Sequence, residues 1–162
     1  MIKFIDRLYG WFLIAANSLQ SPLLLAIRLY WGWQFWQAGH GKLGNISKTV
    51  EFFTNLNIPA PSLNAHFVAY LEAGGGILLA IGLGSRLIAL PLAVDMIVAY
   101  LTADRDSLRA IFSDDAGQFY KADPFSFLLV SLVILVFGPG KFSLDTLIRW
   151  YRNKRQTPAP SA

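Results

Sequence analysis

Residues 65–103 read AHFVAYLEAGGGILLAIGLGSRLIALPLAVDMIVAYLTA, two apolar segments joined by little more than Ser85 and Arg86. Each segment is about 17 to 20 residues long, enough at about 1.5 Å per residue to cross a hydrocarbon core about 30 Å thick. The stretch predicts a helical hairpin in a membrane. Each arm carries one acid, Glu72 and Asp95. An intramembrane carboxylate is costly in lipid, so both should face the protein interior, and both are functional candidates. The glycines at 74–76, with Gly82 and Gly84, read as the small-residue surface that lets membrane helices pack closely.

Working outward, the same apolar character extends over the whole chain. Of 162 residues 54% are hydrophobic and 15% charged, and the mean hydropathy is +0.44. These values describe a polytopic membrane protein rather than a soluble domain. Cysteine is absent, which excludes disulfide frameworks, thiol relays and iron–sulfur clusters. The net charge of +4 does not point to nucleic acid, because the basic residues gather beside apolar segments and near the C-terminus, where they face the lipid bilayer.

Two further spans are predicted. Ser21 and Pro22 read as a helix start before LLLAIRLYWGWQFWQAG, and Pro124 opens PFSFLLVSLVILVFG, which GPG at 138–140 ends. The expected fold is all-α: an integral membrane four-helix bundle, one domain over 1–162, with spans at about 22–39, 65–84, 87–103 and 124–138. Ile2, Ile5, Leu8, Tyr9 and Phe12 lie opposite Lys3, Asp6 and Arg7 at helical spacing, which predicts an N-terminal amphipathic helix in the interface. A C-terminal counterpart follows Ser143, its expected cap, with Asp145 at the positive end of its dipole and Leu144, Leu147, Ile148 and Tyr151 as its apolar stripe. Residues 156–162 are expected to be a disordered tail.

Between the first two spans, SKTVEFFTNL is a short amphipathic helix with Ser47 as cap, expected on the outer face. The segment 104–123 reads as a solvated connector, and no metal site is expected from its aspartates. Lys3, Arg7, Arg86, Lys141, Arg149, Arg152, Lys154 and Arg155 fall on the side of the termini, against Lys42, Lys48, Arg105, Arg109 and Lys121 opposite. Eight against five puts both termini in the cytoplasm of a multi-pass inner-membrane protein.

Counting helical rise from the span ends sorts the charges by depth. Arg28 and Asp95 come out roughly 9 and 12 Å from one face, which predicts a structural ion pair fixing helix register. Glu72 falls near the other face with His40, Lys42 and His66. There Glu72 and Lys42 are the catalytic candidates, and His40, Trp36 and His66 the cofactor-binding ones. A carboxylate, proton carriers and flat aromatic walls suit a quinone headgroup. The alternative is an aromatic belt with a snorkelling lysine. Haem is disfavoured, since both histidines sit at span ends and not in a core.

Arg28, Gly32 and Phe35, GHGKL at 39–43, LEAGGGILLAIGLGSR at 71–86 and GPGKFSLD at 138–145 together resemble the DoxX family of small four-span membrane proteins, over about residues 25–147. The resemblance implies an association with redox chemistry: some members are subunits of a thiosulfate:quinone oxidoreductase, and others act with partners in oxidative-stress complexes. The histidine complement of a haem-copper oxygen site is lacking. The leading expectation is a membrane subunit of a quinone-linked oxidoreductase or oxidative-stress system, with a protein partner supplying the redox chemistry. The alternatives are a non-catalytic anchor for a soluble protein and a small-solute transporter.

Overall fold

The computed structural model describes residues 2–112, 115 and 117–156; the side chains of Ile2, Lys3, Phe4, Leu8 and Gln156 lie outside that description. The described residues are helical, without a strand. Three helices are long and apolar enough to cross a membrane: α1 (Ile2–Gly44), α3 (Pro61–Ile81) and α4 (Ser85–Thr102). Between the first two lies α2 (Ile46–Asn55). After α4 come α5 (Arg105–Arg109), a 3-10 turn (Ala110–Phe112) and α6 (Gly117–Lys121), then the apolar α7 (Asp123–Phe137) and the amphipathic α8 (Leu144–Gln156).

The first correction concerns α1. The expected helix start at Ser21 and Pro22 is absent, and the N-terminal segment and the first span form one helix with Pro22 inside it. Pro22 removes one N–H from the helical ladder. Ser21 caps nothing here; its Oγ accepts a hydrogen bond from the backbone N–H of Lys141 at 3.3 Å. At about 1.5 Å per residue α1 is roughly 64 Å long, about twice the thickness of a hydrocarbon core, so much of it lies outside the apolar layer.

The hairpin of α3 and α4 is formed around the turn at 82–84, but α3 packs mainly on α1, and α4 mainly on α7. The reason is the placement of glycine. A Cβ added to Gly39 would lie 2.2 Å from the backbone N of Ala73, and one added to Gly76 would lie 2.5 Å from the carbonyl O of Gly32. These are backbone atoms, so α1 and α3 touch main chain to main chain, as small residues at membrane interfaces allow. Gly75 turns instead toward Ile88 and Leu92 of α4. Phe35, Leu79, Leu92 and Ile134 fill the centre and are fully buried. Leu29, Ile77, Ile97, Leu129, Leu132 and Val136 are exposed on the outside, the apolar surface that a protein in lipid presents.

At the α8 end, three sequence-distant pieces interlock. The turn after α3 has Gly82 and Gly84 in the left-handed region, at φ 75° and 59°. Asp145 Oδ1 accepts from the Gly84 N–H at 2.7 Å and Oδ2 from the Ser85 N–H at 2.9 Å, while the Asp145 N–H donates to the Gly82 carbonyl at 3.0 Å. Asp145 was expected at the N-terminus of its own helix, but its carboxylate is turned to the N-terminus of α4, where the unpaired N–H groups of that helix are satisfied. Ser143 does cap α8, accepting from the Thr146 N–H at 3.2 Å. Arg28 is buried beneath this turn and donates to the Phe142 carbonyl, with Asp145 as its attracting counter-charge. A Cβ on Gly82 would strike the Arg28 guanidinium.

The predicted Arg28–Asp95 ion pair is therefore not formed. Arg28 is engaged at the α8 end, where one guanidinium nitrogen donates to the Phe142 carbonyl and Asp145 attracts it, while its Nε and Nη1 are buried without a hydrogen-bond partner among the described residues; Asp95 lies instead beside Glu72. The depth count failed because it began at Pro22, and α1 does not begin there.

Elsewhere the bounds shift slightly. The helix α3 starts at Pro61, which needs no donor at its first turn. Asn45, and not Ser47, holds the N-cap position of α2, without a side-chain cap bond. Of the expected disordered tail, residues 157–162 lie outside the described residues, as do Ser113, Asp114 and Ala116 of the connector.

Two outcomes follow for stability. Gly39→Ala should lower the unfolding temperature in detergent, by the about 1–3 kcal/mol usual for overpacking, whereas Gly74→Ala, whose added Cβ meets nothing within 4 Å, should leave it unchanged. The Asp145 carboxyl, although burial pushes it up, is held below its ordinary 3.8 by the N–H groups of Ser85 and Gly84. A depressed folded-state pKa adds stability above the unfolded value that is lost as pH falls through the folded one. Acid unfolding followed by circular dichroism should therefore show wild type losing its advantage over Asp145→Asn below about pH 4.

Candidate functional site

At the opposite end, three charged side chains meet. Lys42 lies in the last turn of α1, Glu72 near the middle of α3 and Asp95 in the middle of α4. Lys42 Nζ pairs directly with Glu72 Oε2; the two side chains are 30% and 4% exposed. The Asp95 carboxyl lies within interaction range of Glu72 on its other side, and its Oδ2 is buried without a hydrogen-bond partner among the described residues.

The reason these acids meet is simple geometry. Glu72 precedes Gly82 by ten residues and Asp95 follows Ser85 by ten, so both rise about 15 Å from one turn and stand at one level. On α1, Gly39 brings the helix against α3, and Lys42, three residues later on a neighbouring face, reaches Glu72.

This trio forms the floor of a cleft of about 690 Å³ between α2, α3 and α4. Phe67, Val68 and Leu71 of α3 line one wall, and Leu90, Pro91 and Val94 of α4 the other. Phe52 and Phe53 of α2, with Leu56 and Ile58 after it, cover the top, and Arg105 stands at the rim. The covering loop is sharply turned: Asn57 and Ala60 have φ of 56° and 45°, and Asn64 Nδ2 donates to the Pro59 carbonyl at 2.6 Å. A non-glycine residue in the left-handed region is uncommon, and here two fix the path of one short loop. The cleft lies in the range of small-molecule sites and has their usual make-up, apolar walls with a few convergent polar groups.

Two acids and one ammonium sum to a net charge of −1 when both acids are ionised, and a single proton neutralises them. The arrangement can hold a proton, donate a hydrogen bond and accept one, all at the end of an apolar slot.

Of the residues expected here, the structure brings Lys42 and Glu72 together and leaves the aromatic and histidine candidates apart. His40 is exposed and stacked on Trp36, with ring centroids 5.1 Å apart. His66 is also exposed, with Nδ1 2.7 Å from the Ser62 carbonyl. None of His40, Trp36 and His66 lines the cleft. Helical phase explains the miss: positions two or six apart on an α-helix point roughly 200° and 240° away from each other, so neither histidine shares a face with its charged neighbour. Depth alone, without phase, grouped them wrongly.

The sequence reading missed Asp95 as a member of this cluster, although its equal distance from the 82–85 turn was the available signal. It also missed the cover. The apolar face of the amphipathic α2 carried that signal, since Phe53 is buried while α2 rests on α3.

A family model, DoxX, matches residues 23–105. The chain belongs to the DoxX family. The matched region holds Arg28, Lys42, Glu72, Asp95 and the turn at 82–85; α7 and α8 lie beyond it. Among relatives, "Putative oxidoreductase CatD" of Bacillus subtilis is 28% identical over 124 residues, 76% of this chain and 85% of that protein. An uncharacterized protein of Haemophilus influenzae is 33% identical over 132 residues, 78% of this chain and 83% of its own length. No solved structure matches the chain. This member of the DoxX family is a membrane protein by its apolar helices, and one of these two relatives carries the name of an oxidoreductase.

Lys42 is the cation that faces two acids, so its loss should cost more than the loss of either acid's charge. Lys42→Met should destabilise the detergent-solubilised protein, by less than the about 3–5 kcal/mol of a wholly buried pair because Lys42 is partly exposed. Glu72→Gln leaves Asp95 as counter-ion and should cost less. Adding Glu72→Gln to Lys42→Met should restore much of the loss, as read by thermal unfolding.

Proposed function

We propose that this protein is a four-span inner-membrane subunit of a quinone-linked oxidoreductase or oxidative-stress system, with both termini cytoplasmic and a quinone headgroup seated in the cleft beneath α2. The observation that carries this reading is the chemistry of the cleft: apolar and aromatic walls that end on Lys42, Glu72 and Asp95. The family membership and the printed name of the Bacillus subtilis relative support it. The fourth span is α7, whose 15 residues cover roughly 22 Å and approach the thickness of a thinned core. The orientation rests on the eight-to-five division of basic residues between the two sides.

Within this proposal, each residue has a task. Phe52, Phe53 and Phe67 enclose a flat ring and exclude water. The Lys42 ammonium and a protonated carboxyl of the Glu72–Asp95 pair donate hydrogen bonds to the carbonyl oxygen that reaches the end of the slot. Reduction of a quinone takes up two electrons and two protons. The electrons come from a partner redox protein, and the acid pair relays protons from the side of Arg105. In quinol oxidation the same groups take the protons back.

Calorimetric titration with short-chain ubiquinone and menaquinone analogues tests this. Saturable binding is expected, weakened roughly tenfold in Lys42→Met/Glu72→Gln, which loses the ammonium donor, as for a lost hydrogen bond from a charged group. Phe53→Ala should weaken it too, and Trp36→Ala should not. Absence of saturable binding, or a Trp36→Ala effect as large as that of the double change, would sink the proposal and leave the non-catalytic anchor as the better reading.

A further inference from the structure

The α8 end holds a second cleft, of about 600 Å³, between α1, the start of α4, the 138–140 loop and α8. Four basic side chains line it: Arg86, Lys141, Arg149 and Arg152. Its one acid, Asp145, is committed to the backbone N–H groups of Gly84 and Ser85. Among the described residues no carboxylate forms an ion pair with any of the four.

Two of these side chains are tied to the fold. Arg149 Nε donates to the Asp145 carbonyl at 3.4 Å. Arg86 Nη2 donates to the Val136 carbonyl at 2.9 Å and crosses Gly138. Lys141 follows the loop that its own N–H ties to Ser21. Arg149 and Arg152 stand three residues apart on α8, and so on one side of it. The cleft also has apolar lining, Leu24, Leu87, Phe137 and Ile148, and Leu87 is 82% exposed. The last residues of α7 and the first of α4 end at this level, where a span gives way to headgroups.

We propose that this cleft binds the phosphodiester headgroup of an anionic glycerophospholipid, with the acyl chains passing down over Leu87 and Phe137. Charge decides the class of ligand. Four cations lining one half-apolar cleft attract a phosphate strongly, whereas a zwitterionic headgroup brings its own ammonium to the same cations. The apolar rim decides the source, because free phosphate gains nothing from Leu87 or Phe137. The lipid braces α8 against the start of α4 and α1. The site is independent of the quinone reading, since it shares no lining residue with the cleft beneath α2.

The test is thermal unfolding of the full chain in mild detergent, titrated with phosphatidylglycerol, phosphatidylcholine or inorganic phosphate. Phosphatidylglycerol should raise the unfolding temperature saturably and the other two should not. In Lys141→Gln/Arg152→Gln, which changes two exposed side chains, half-saturation should need roughly thirtyfold more phosphatidylglycerol. Lys48→Gln/Arg109→Gln, which removes two cations outside the cleft, should respond as wild type. The single change Arg152→Gln carries the test if the double variant does not fold. Equal stabilisation by phosphatidylcholine, an equal effect of inorganic phosphate, or an unaltered response in the cleft variants would overturn the proposal.

Discussion

The architecture depends on the close approach of α1 and α3. Gly32, Gly39 and Gly76 leave no side chain between the two backbones. In lipid there is little hydrophobic drive to press helices together, so association rests on dispersion contacts and interhelical polar bonds, and both need short distances. The glycines supply the distance, and Phe35 and Leu79, fully buried, supply close-packed bulk beside them. Because α1 and α3 run antiparallel at this spacing, the position of every charge on one is fixed relative to the other. Arg28 is brought to Gly82 at one end and Lys42 to Glu72 at the other.

The molecule thus has two polar ends with different characters. At the α8 end polar groups are consumed by structure: Asp145 closes the N-terminus of α4, Arg28 holds the Phe142 carbonyl and Ser143 caps α8. Each bond there satisfies a backbone group at a helix end or a turn, where an unpaired group in an apolar layer costs most. Beneath α2 the polar groups converge on one another at the base of an open cleft, and Asp95 Oδ2 is without a partner among the described residues.

The covering elements fit this division. The loop after α2 is held by Asn64 and by two residues in left-handed conformations. At the other side of the same end, Tyr100 donates to the Phe119 carbonyl at 2.8 Å and stacks on its ring, so α6 lies against the end of α4. The cleft is thus covered by α2 and the loop after it, with Arg105 as its lining residue from the second connection.

The sequence by itself determined that the chain is helical and made for lipid, because apolar length and composition are local properties that lipid reads directly. It also marked Glu72, Asp95, Arg28 and Lys42 as the charges to explain, since the cost of a charge among apolar residues is visible wherever it falls. Their partners were another matter. Asp95 goes to Glu72 and not to Arg28, and His40 and His66 turn outward, because partner choice depends on helical phase, on where α1 begins and on which helices touch. The continuation of α1 through Pro22 was hidden for the same reason: proline removes one hydrogen bond locally, and the rest of the helix outweighs it. Only the tertiary structure decided these points. Contacts between helices are set by glycines that meet across the interface, and the spacing along one chain does not say which helix lies opposite.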